Sequence, residues 1–303
     1  MRILTLALVS CFALAGAANA ESDTERLIKR AESGNVDAQV QLGLDYQTGI
    51  MRYSDGSGVE RDFVKAKNWL EAASFQDYPP AFYLLGELYQ SRKHNDIGED
   101  AKPVIEIDHP RSARYYLQYV TLAEKLEPKA DGKERKVLGD MLMKAMANLG
   151  DIYFRDCDDG AGWLATRIDG CGNQPGWSLP QDYAKAFHWY QSAAARGQYW
   201  AHYRLGKMYE SGKGVPQDFK QAIEHYLKAA EGGYSASRSA IGRLHLAMGD
   251  KVAAYTWLNL TVSADDSDKA LIQQRDEVLK SLTPEEIATS QERARAWFEA
   301  QKQ

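Results

Sequence analysis

The sequence is poor in cysteine, with three in 303 residues: Cys11, Cys157 and Cys171. No CxxC or HxxxH spacing accompanies them, which excludes a zinc site from the expected features, and no other metal or cofactor motif is present. Prolines number nine, too few for a Pro-rich linker. Bases do not exceed acids: 37 Lys and Arg stand against 42 Asp and Glu, a net charge of −5. Gripping a phosphate backbone needs a basic face, so nucleic acid is not the expected partner. Beyond residue 20 no apolar run is long enough to span a bilayer. The signatures GxSxG, SxxK, HExxH, the Walker loop and GxGxxG are all missing, and Asp55-Gly56-Ser57-Gly58 reads as a turn. The chain is therefore expected not to be an enzyme. Hydrophobics at 44% and charged residues at 26% are the composition of a soluble globular protein.

What is present begins at the N-terminus. Arg2 precedes an apolar run from Ile3 to Leu14, and Ala18-Asn19-Ala20 forms an A-x-A cleavage site. Residues 1–20 read as a secretory signal peptide, which places the mature chain in the periplasm or outside the cell. A second reading competes. Leu8-Val9-Ser10-Cys11 resembles a lipoprotein box that would put a lipid on Cys11. Cleavage after Ala20 leaves two cysteines in an oxidising compartment, and an even count there suggests a Cys157–Cys171 disulfide. Closing that loop is worth roughly 3 kcal/mol in the chain-entropy model.

The chain repeats internally. Residues 201–233 give the cleanest unit: Ala201, Leu205-Gly206, Tyr209, then Gly212-Lys213-Gly214-Val215-Pro216-Gln217-Asp218, Gln221-Ala222, His225, Ala229-Ala230 and Gly232-Gly233. The skeleton recurs as Ala38, Leu42-Gly43, Tyr46 with Asp62, Lys65-Ala66, Trp69. It recurs as Ala81, Leu85-Gly86, Tyr89, loosely followed by Pro110, Ser112-Ala113, Tyr116. Ala145, Leu149-Gly150, Tyr153 joins Asp182, Lys185-Ala186, Trp189. Ser237, Ile241-Gly242, His245 joins Asp250, Ala253-Ala254, Trp257. The offsets are helical, so each unit is two helices, A and B. Leu, Gly, Tyr and Trp of the skeleton are the expected repeat core. Asp62, Asp182 and Asp218 sit where helix B needs an N-cap.

The skeleton A-x3-L-G-x2-Y … G-x-G-V-x-x-D-x2-K-A-x2-W/Y-x2-A-A-x2-G resembles the Sel-1-like repeat family, relatives of tetratricopeptide repeats. The resemblance implies an all-α, right-handed α-solenoid of about five helix–turn–helix repeats with capping helices. Residues 21–35 are the N-terminal capping helix, 36–269 the repeats and 270–303 the C-terminal capping helices. Thr283-Pro284-Glu285-Glu286 is a good helix start, and Ile287, Ala294, Trp297 and Phe298 form its expected buried stripe.

Three insertions, residues 47–61, 90–108 and 154–181, fall in the same A–B loop of their units. Equivalent loops of a solenoid line up, so they are expected to form one edge. The third holds Trp163, Arg167, Trp177, Asp158 and Asp159 between and beside its two cysteines. Trp and Arg on a rigid loop are hot-spot composition, which makes these five the candidate partner-binding residues. The aspartates miss the EF-hand spacing, so no metal is assigned. The leading reading is an exported, non-enzymatic protein-binding scaffold or adaptor acting through its groove and loop edge, as an envelope regulator or assembly factor. Two alternatives stay open: an immunity protein that binds a secreted type VI effector toxin, and a cell-wall or β-lactam hydrolase.

Overall fold

The computed structural model describes residues 21–49, 54–90, 105, 107–154, 179–264 and 268–301. Among them lie thirteen α-helices, one 3-10 turn and no strand, an all-α repeat fold. Helix α1 (Asp23–Glu32) is followed by α2 (Val36–Thr48) and α3 (Phe63–Ser74), then α4 (Pro79–Gln90) and α5 (His109–Leu126). A 3-10 turn, Glu127–Lys129, leads into the long α6 (Gly132–Phe154). Next come α7 (Tyr183–Ala195), α8 (Tyr199–Ser211), α9 (Phe219–Glu231), α10 (Ser235–Ala247), α11 (Lys251–Val262), α12 (Lys269–Leu279) and α13 (Pro284–Ala300). The chain forms two compact units that divide between Gln181 and Asp182. The first holds α1 to α6 and the second α7 to α13. Within them α2–α3, α4–α5, α8–α9 and α10–α11 pack as A–B pairs.

Each A–B pair is drawn together at one glycine. A Cβ placed on Gly43 would lie 2.6 Å from Leu70, on Gly86 2.6 Å from Tyr116, and on Gly206 2.6 Å from Tyr226. On Gly242 it would lie 2.9 Å from Leu258. Helix A therefore has to be bare there, because a large helix-B side chain rests on its backbone. Those side chains are fully buried, as is Tyr190 at the same place in α7. Leu42, Leu85, Leu149 and Leu205, beside the helix-A glycines, are buried too.

This shifts the core by one residue on helix B. The sequence skeleton marks Trp69, Trp189, His225 and Trp257, seven positions after the N-cap. All four are half-buried, and the fully buried residue is the next one along. The second repeat also shifts: its N-cap is Asp108, so Ser112 stands where Ala66 stands in the first. Ser112 is small enough for the site and its hydroxyl donates to the carbonyl of Gly86 at 2.7 Å. Tyr115, not Tyr116, is the counterpart of Trp69.

Helix B starts the same way throughout. Asp62, Asp108, Asp182, Asp218 and Asp250 are N-caps whose carboxylates accept from backbone N–H groups of the first turn. The cap residue's own N–H is used as well. Asp62 donates to the carbonyl of Tyr46, Asp108 to Tyr89, Asp218 to Tyr209 and Asp250 to His245, at 2.8–3.0 Å. The paired residues are 16, 19, 9 and 5 positions apart along the chain. One staple thus closes loops of very different length, and loop-closure entropy rises slowly enough with length to permit it.

The ends are closed by α1 on one side and by α12 and α13 on the other. Ser22 and Glu25 form a capping box on α1, and Thr283 and Glu286 form another on α13 with Pro284 in the first turn. The buried residues of α13 are Ser290 and Ala294. Phe298, expected in its buried stripe, is 42% exposed. Trp297 is half-buried, edge-on to Trp257 at 5.6 Å. Ser290 lies on the inner face, where its hydroxyl meets that of Thr256 at 3.0 Å.

Helix B is followed by a left-handed residue: Gly197 (φ 92°) after α7 and Gly233 (φ 85°) after α9, each fifteen positions after its N-cap. In the first repeat that place holds Asp77, φ 52°, the one non-glycine with positive φ among the described residues. A Cβ is strained in this region, less for Asp than for most residues. Asp77→Gly is expected to stabilise by about 0.5 kcal/mol, seen as a higher denaturation midpoint. Gly206→Leu is expected to cost about 3 kcal/mol or more through overpacking against Tyr226. Trp189→Ala, at a half-buried place, should cost less than Tyr190→Ala in the same urea titration.

Candidate partner-binding edge

The staple puts the last tyrosine of helix A beside the first turn of helix B. The third residue after the N-cap is then poised over the tyrosine ring. In the first repeat Lys65 Nζ lies 5.3 Å from the Tyr46 ring centroid. In the second the guanidinium of Arg111 lies 4.8 Å over Tyr89 and donates to its hydroxyl at 3.1 Å. Tyr115 stacks on the other ring at 5.8 Å and 15°, and Arg114 sits 5.9 Å over Tyr115. Two guanidinium groups thus contact a pair of nearly parallel phenols, one on each ring. Such contacts are worth about 0.5–1 kcal/mol each when exposed. Arg111 also pairs with Asp108 at 3.3 Å, and Lys65 with Asp62 at 3.6 Å. The hydrogen bond from Arg111 to Tyr89 is the main cause of the raised pKa of Arg111, while burial raises that of Tyr115.

In the fourth repeat the position seven after the N-cap holds His225, stacked on Tyr209 at 5.5 Å and 13°. Its Nδ1 lies 3.0 Å from the Nδ1 of His202 on α8. The ring centroids are 5.3 Å apart, which is the nitrogen gap plus two ring radii. The nitrogens therefore face each other in line, one Nδ1–H donating to the other Nδ1, and their lone pairs do not converge on a shared point as metal ligands would. Both rings are held neutral, chiefly by burial and then by neighbouring positive charge, with His225 pushed down to about 4. His202 is half-buried in this pair.

The described part of the first insertion, residues 54–61, is tied to the start of α1. Asp55 accepts from the backbone N–H of Asp23 at 2.5 Å and from the N–H and hydroxyl of Ser57. Ser57 Oγ also receives the N–H and hydroxyl of Thr24, so the loop clasps the start of α1. These hydrogen bonds, that of the Ser57 side chain first, hold the Asp55 carboxyl down at about 2. Of the expected site residues, Trp163, Arg167, Trp177, Asp158, Asp159, Cys157 and Cys171 lie outside the described residues. Of the helix-A tyrosines, Tyr89 and Tyr153 are buried, while Tyr46 and Tyr209 are half-buried. Gly150 is buried on α6. Sequence reasoning missed the cation three places after the N-cap and Tyr115. The recurring Lys65, Arg111 and Lys185 were the available signal.

The histidine pair sets a pH dependence. Folding lowers these pKa values, so the neutral form stabilises the fold above about 6.5, and that contribution is lost as the pH falls from 6.5 through about 4. Urea titrations from pH 8 to 4 should show wild-type stability falling in this window. The fall should be smaller in His225→Phe.

The model of the Sel1 repeat matches residues 36–77, 170–198 and 201–234. No curated protein matches the chain. Among solved structures, a Sel1 repeat protein from Oxalobacter formigenes is 21% identical with a TM-score of 0.49, covering 79% of this chain and 77% of its own. The protective antigen c5321 of uropathogenic Escherichia coli, an SLR fold, is 22% identical with a TM-score of 0.43. It covers 90% of this chain, which spans 55% of the antigen's length. The immunity protein Pa5087 from Pseudomonas aeruginosa is 18% identical with a TM-score of 0.34, covering 72% of this chain and 60% of its own. The pairs α4–α5 and α10–α11 lie mostly outside the matched segments and make the same glycine contact as the pairs within them. The chain belongs to the Sel1 repeat family, a repeat scaffold of the protein-interaction type.

Proposed function

We propose that the chain is exported and acts as a non-enzymatic adaptor that holds a partner protein along its A–B edge. The observation that carries this reading is the rim of the second repeat, where the exposed Arg111 and Arg114 border the half-buried Tyr115, itself stacked on the buried Tyr89. Arg and Tyr offer large, stiff contact area with polar ends, which is the composition of binding hot spots. The titratable groups best defined in the structure are committed elsewhere. The histidines pair with each other, and Asp55 clasps α1. The chemistry on offer is contact and charge, not proton transfer.

Export is supported by residues 1–20 and by where the fold begins. Ser22 is already the N-cap of α1, and Glu21 reaches Lys29 at 2.5 Å. Cleavage after Ala20 would therefore leave the cap of α1 intact. The periplasm then provides the oxidising conditions for a Cys157–Cys171 bond, and the third insertion adds a second contact surface with Trp163, Arg167, Trp177, Asp158 and Asp159.

Immobilised protein should capture a partner from envelope extract, and Tyr115→Ala should weaken that capture while the helical circular dichroism is unchanged. Equal capture by wild type and variant would remove the edge as the site. Ala18→Arg should leave a larger, unprocessed species in the membrane fraction. Normal processing of that variant would remove the signal-peptide reading.

A further inference from the structure

The residue after the first Ala or Ser of helix A holds the same place in every repeat: Gln39, Phe82, Met146, His202 and Arg238. Gln39, Phe82 and Met146 are buried, and His202 pairs with His225. Four of the five are neutral. The fifth, Arg238 on α10, is a half-buried cation. Its guanidinium lies 5.8 Å over the ring of Trp297 on α13, and Trp297 is edge-on to Trp257 and to Phe298 at 5.6 Å. Among the described residues Arg238 makes no hydrogen bond and no ion pair. Burial holds its pKa below the usual arginine value, and no carboxylate acts against that shift. Arg293 stands one helical turn before Trp297 on the same face of α13, exposed and, among the described residues, also without an ion pair. Burial first, then Arg293, lower the pKa of His245 against an opposing effect of Asp250, so the charge of Arg293 is felt at α10. The nearby carboxylates are otherwise placed. Asp250 caps α11 and lies 3.6 Å from His245. Glu292 is one position from Arg293 and Glu299 two from Trp297, spacings that put side chains on different faces of a helix.

A half-buried charge without a partner costs stability, and an apolar side chain of similar length would cover Trp297 without that cost. Neutral residues fill the same place in the other repeats, so the fold does not require a cation there. A guanidinium carries five N–H donors in a fixed fork, which a carboxylate matches. We propose that Arg238 and Arg293, set around Trp297, form a contact site on the C-terminal cap that receives an acidic side chain of a partner protein, with an apolar neighbour of that side chain lying on Trp297 and Phe298. Charge complementarity selects this occupant, because both cations lack a carboxylate on a chain whose net charge is −5. Phe298, exposed beside Trp297, supplies the apolar half. A phosphate backbone requires a broader basic face than two arginines provide. The site lies in the second compact unit, on other helices than the Arg111–Tyr115 rim, so it stands or falls independently of that rim.

The test uses the full chain and a fluorescein-labelled peptide of alternating leucine and glutamate, read by fluorescence anisotropy. Binding is expected, weakening with added salt. The same peptide with glutamine in place of glutamate should not bind. Arg238→Met keeps the length of the stem and removes the charge. It should weaken binding about tenfold, the loss of one charge-assisted contact, while the melting temperature stays level or rises. Arg293→Glu, at an exposed place, should also weaken binding and keep the wild-type circular dichroism. It decides the matter if Arg238→Met fails to fold. Tyr115→Ala should bind the peptide as the wild type does. Absence of binding at low salt, equal binding of the glutamine peptide, or loss of binding in Tyr115→Ala alone would each overturn the proposal. So would tighter binding of a single-stranded oligonucleotide. A lower melting temperature of Arg238→Met with unchanged binding would make Arg238 a part of the cap and nothing more.

Discussion

The structure depends on how closely helix A lets helix B approach. A glycine on helix A accepts the body of a leucine or tyrosine against its backbone, as in Gly43 with Leu70 and Gly206 with Tyr226. Removing the Cβ costs helix A roughly 1 kcal/mol in propensity. The buried side chain on the other helix returns about 1.5–3 kcal/mol for its removal from water. The contact also fixes the distance between the two helix ends. Only at that distance can the N–H of Asp62 or Asp108 reach the carbonyl of Tyr46 or Tyr89. The staple, the N-cap and the position of the cation over the tyrosine all follow from one bare helix-A residue.

Because the ends are stapled, what lies between them is released from the task of holding the hairpin. The A–B loop can be five positions across, as between His245 and Asp250, or nineteen, as between Tyr89 and Asp108. The first insertion shows what a long loop can then do. Asp55 and Ser57 take the free N–H groups at the start of α1, a terminus that would otherwise satisfy them with water. The described part of the insertion, residues 54–61, therefore contributes to the N-terminal cap.

Much of the fold was legible because its signals are periodic. Ala, Leu-Gly and Tyr at helical offsets gave helix A, the recurring Asp gave the start of helix B, and Thr283-Pro284 gave the start of α13. The register of helix B was less legible. Trp69, Trp189 and Trp257 are the largest residues of their helices, and size draws the eye to them as core. Yet a tryptophan is too large to lie on a helix backbone at the glycine, so the neighbouring leucine or tyrosine takes that place and the tryptophan lies half-buried beside it. The same bias put Phe298 inside and overlooked Ser290, whose place depends on a hydroxyl partner, Thr256, that no periodicity reveals. The histidine pair was hidden for a related reason: His202 and His225 are 23 positions apart and meet only after the hairpin closes.

The edge and the core thus divide the helix-B residues between two physical roles. The eighth position after the N-cap is buried against the glycine and tolerates only a side chain that fits. The third and seventh positions lie at the rim, where Lys65, Arg111, Tyr115 and His225 differ freely in charge while keeping contact with the helix-A ring. A repeat of this kind can change what it binds without changing how it folds, since the rim contacts contribute little to stability and the glycine contact contributes much. Arg114 goes one step further. Among the described residues it makes no ion pair, and it rests on an aromatic ring at an exposed place. Its contribution to folding is small, as expected of an exposed contact between a cation and a ring, so this position is free to vary while the glycine contact beneath it is not.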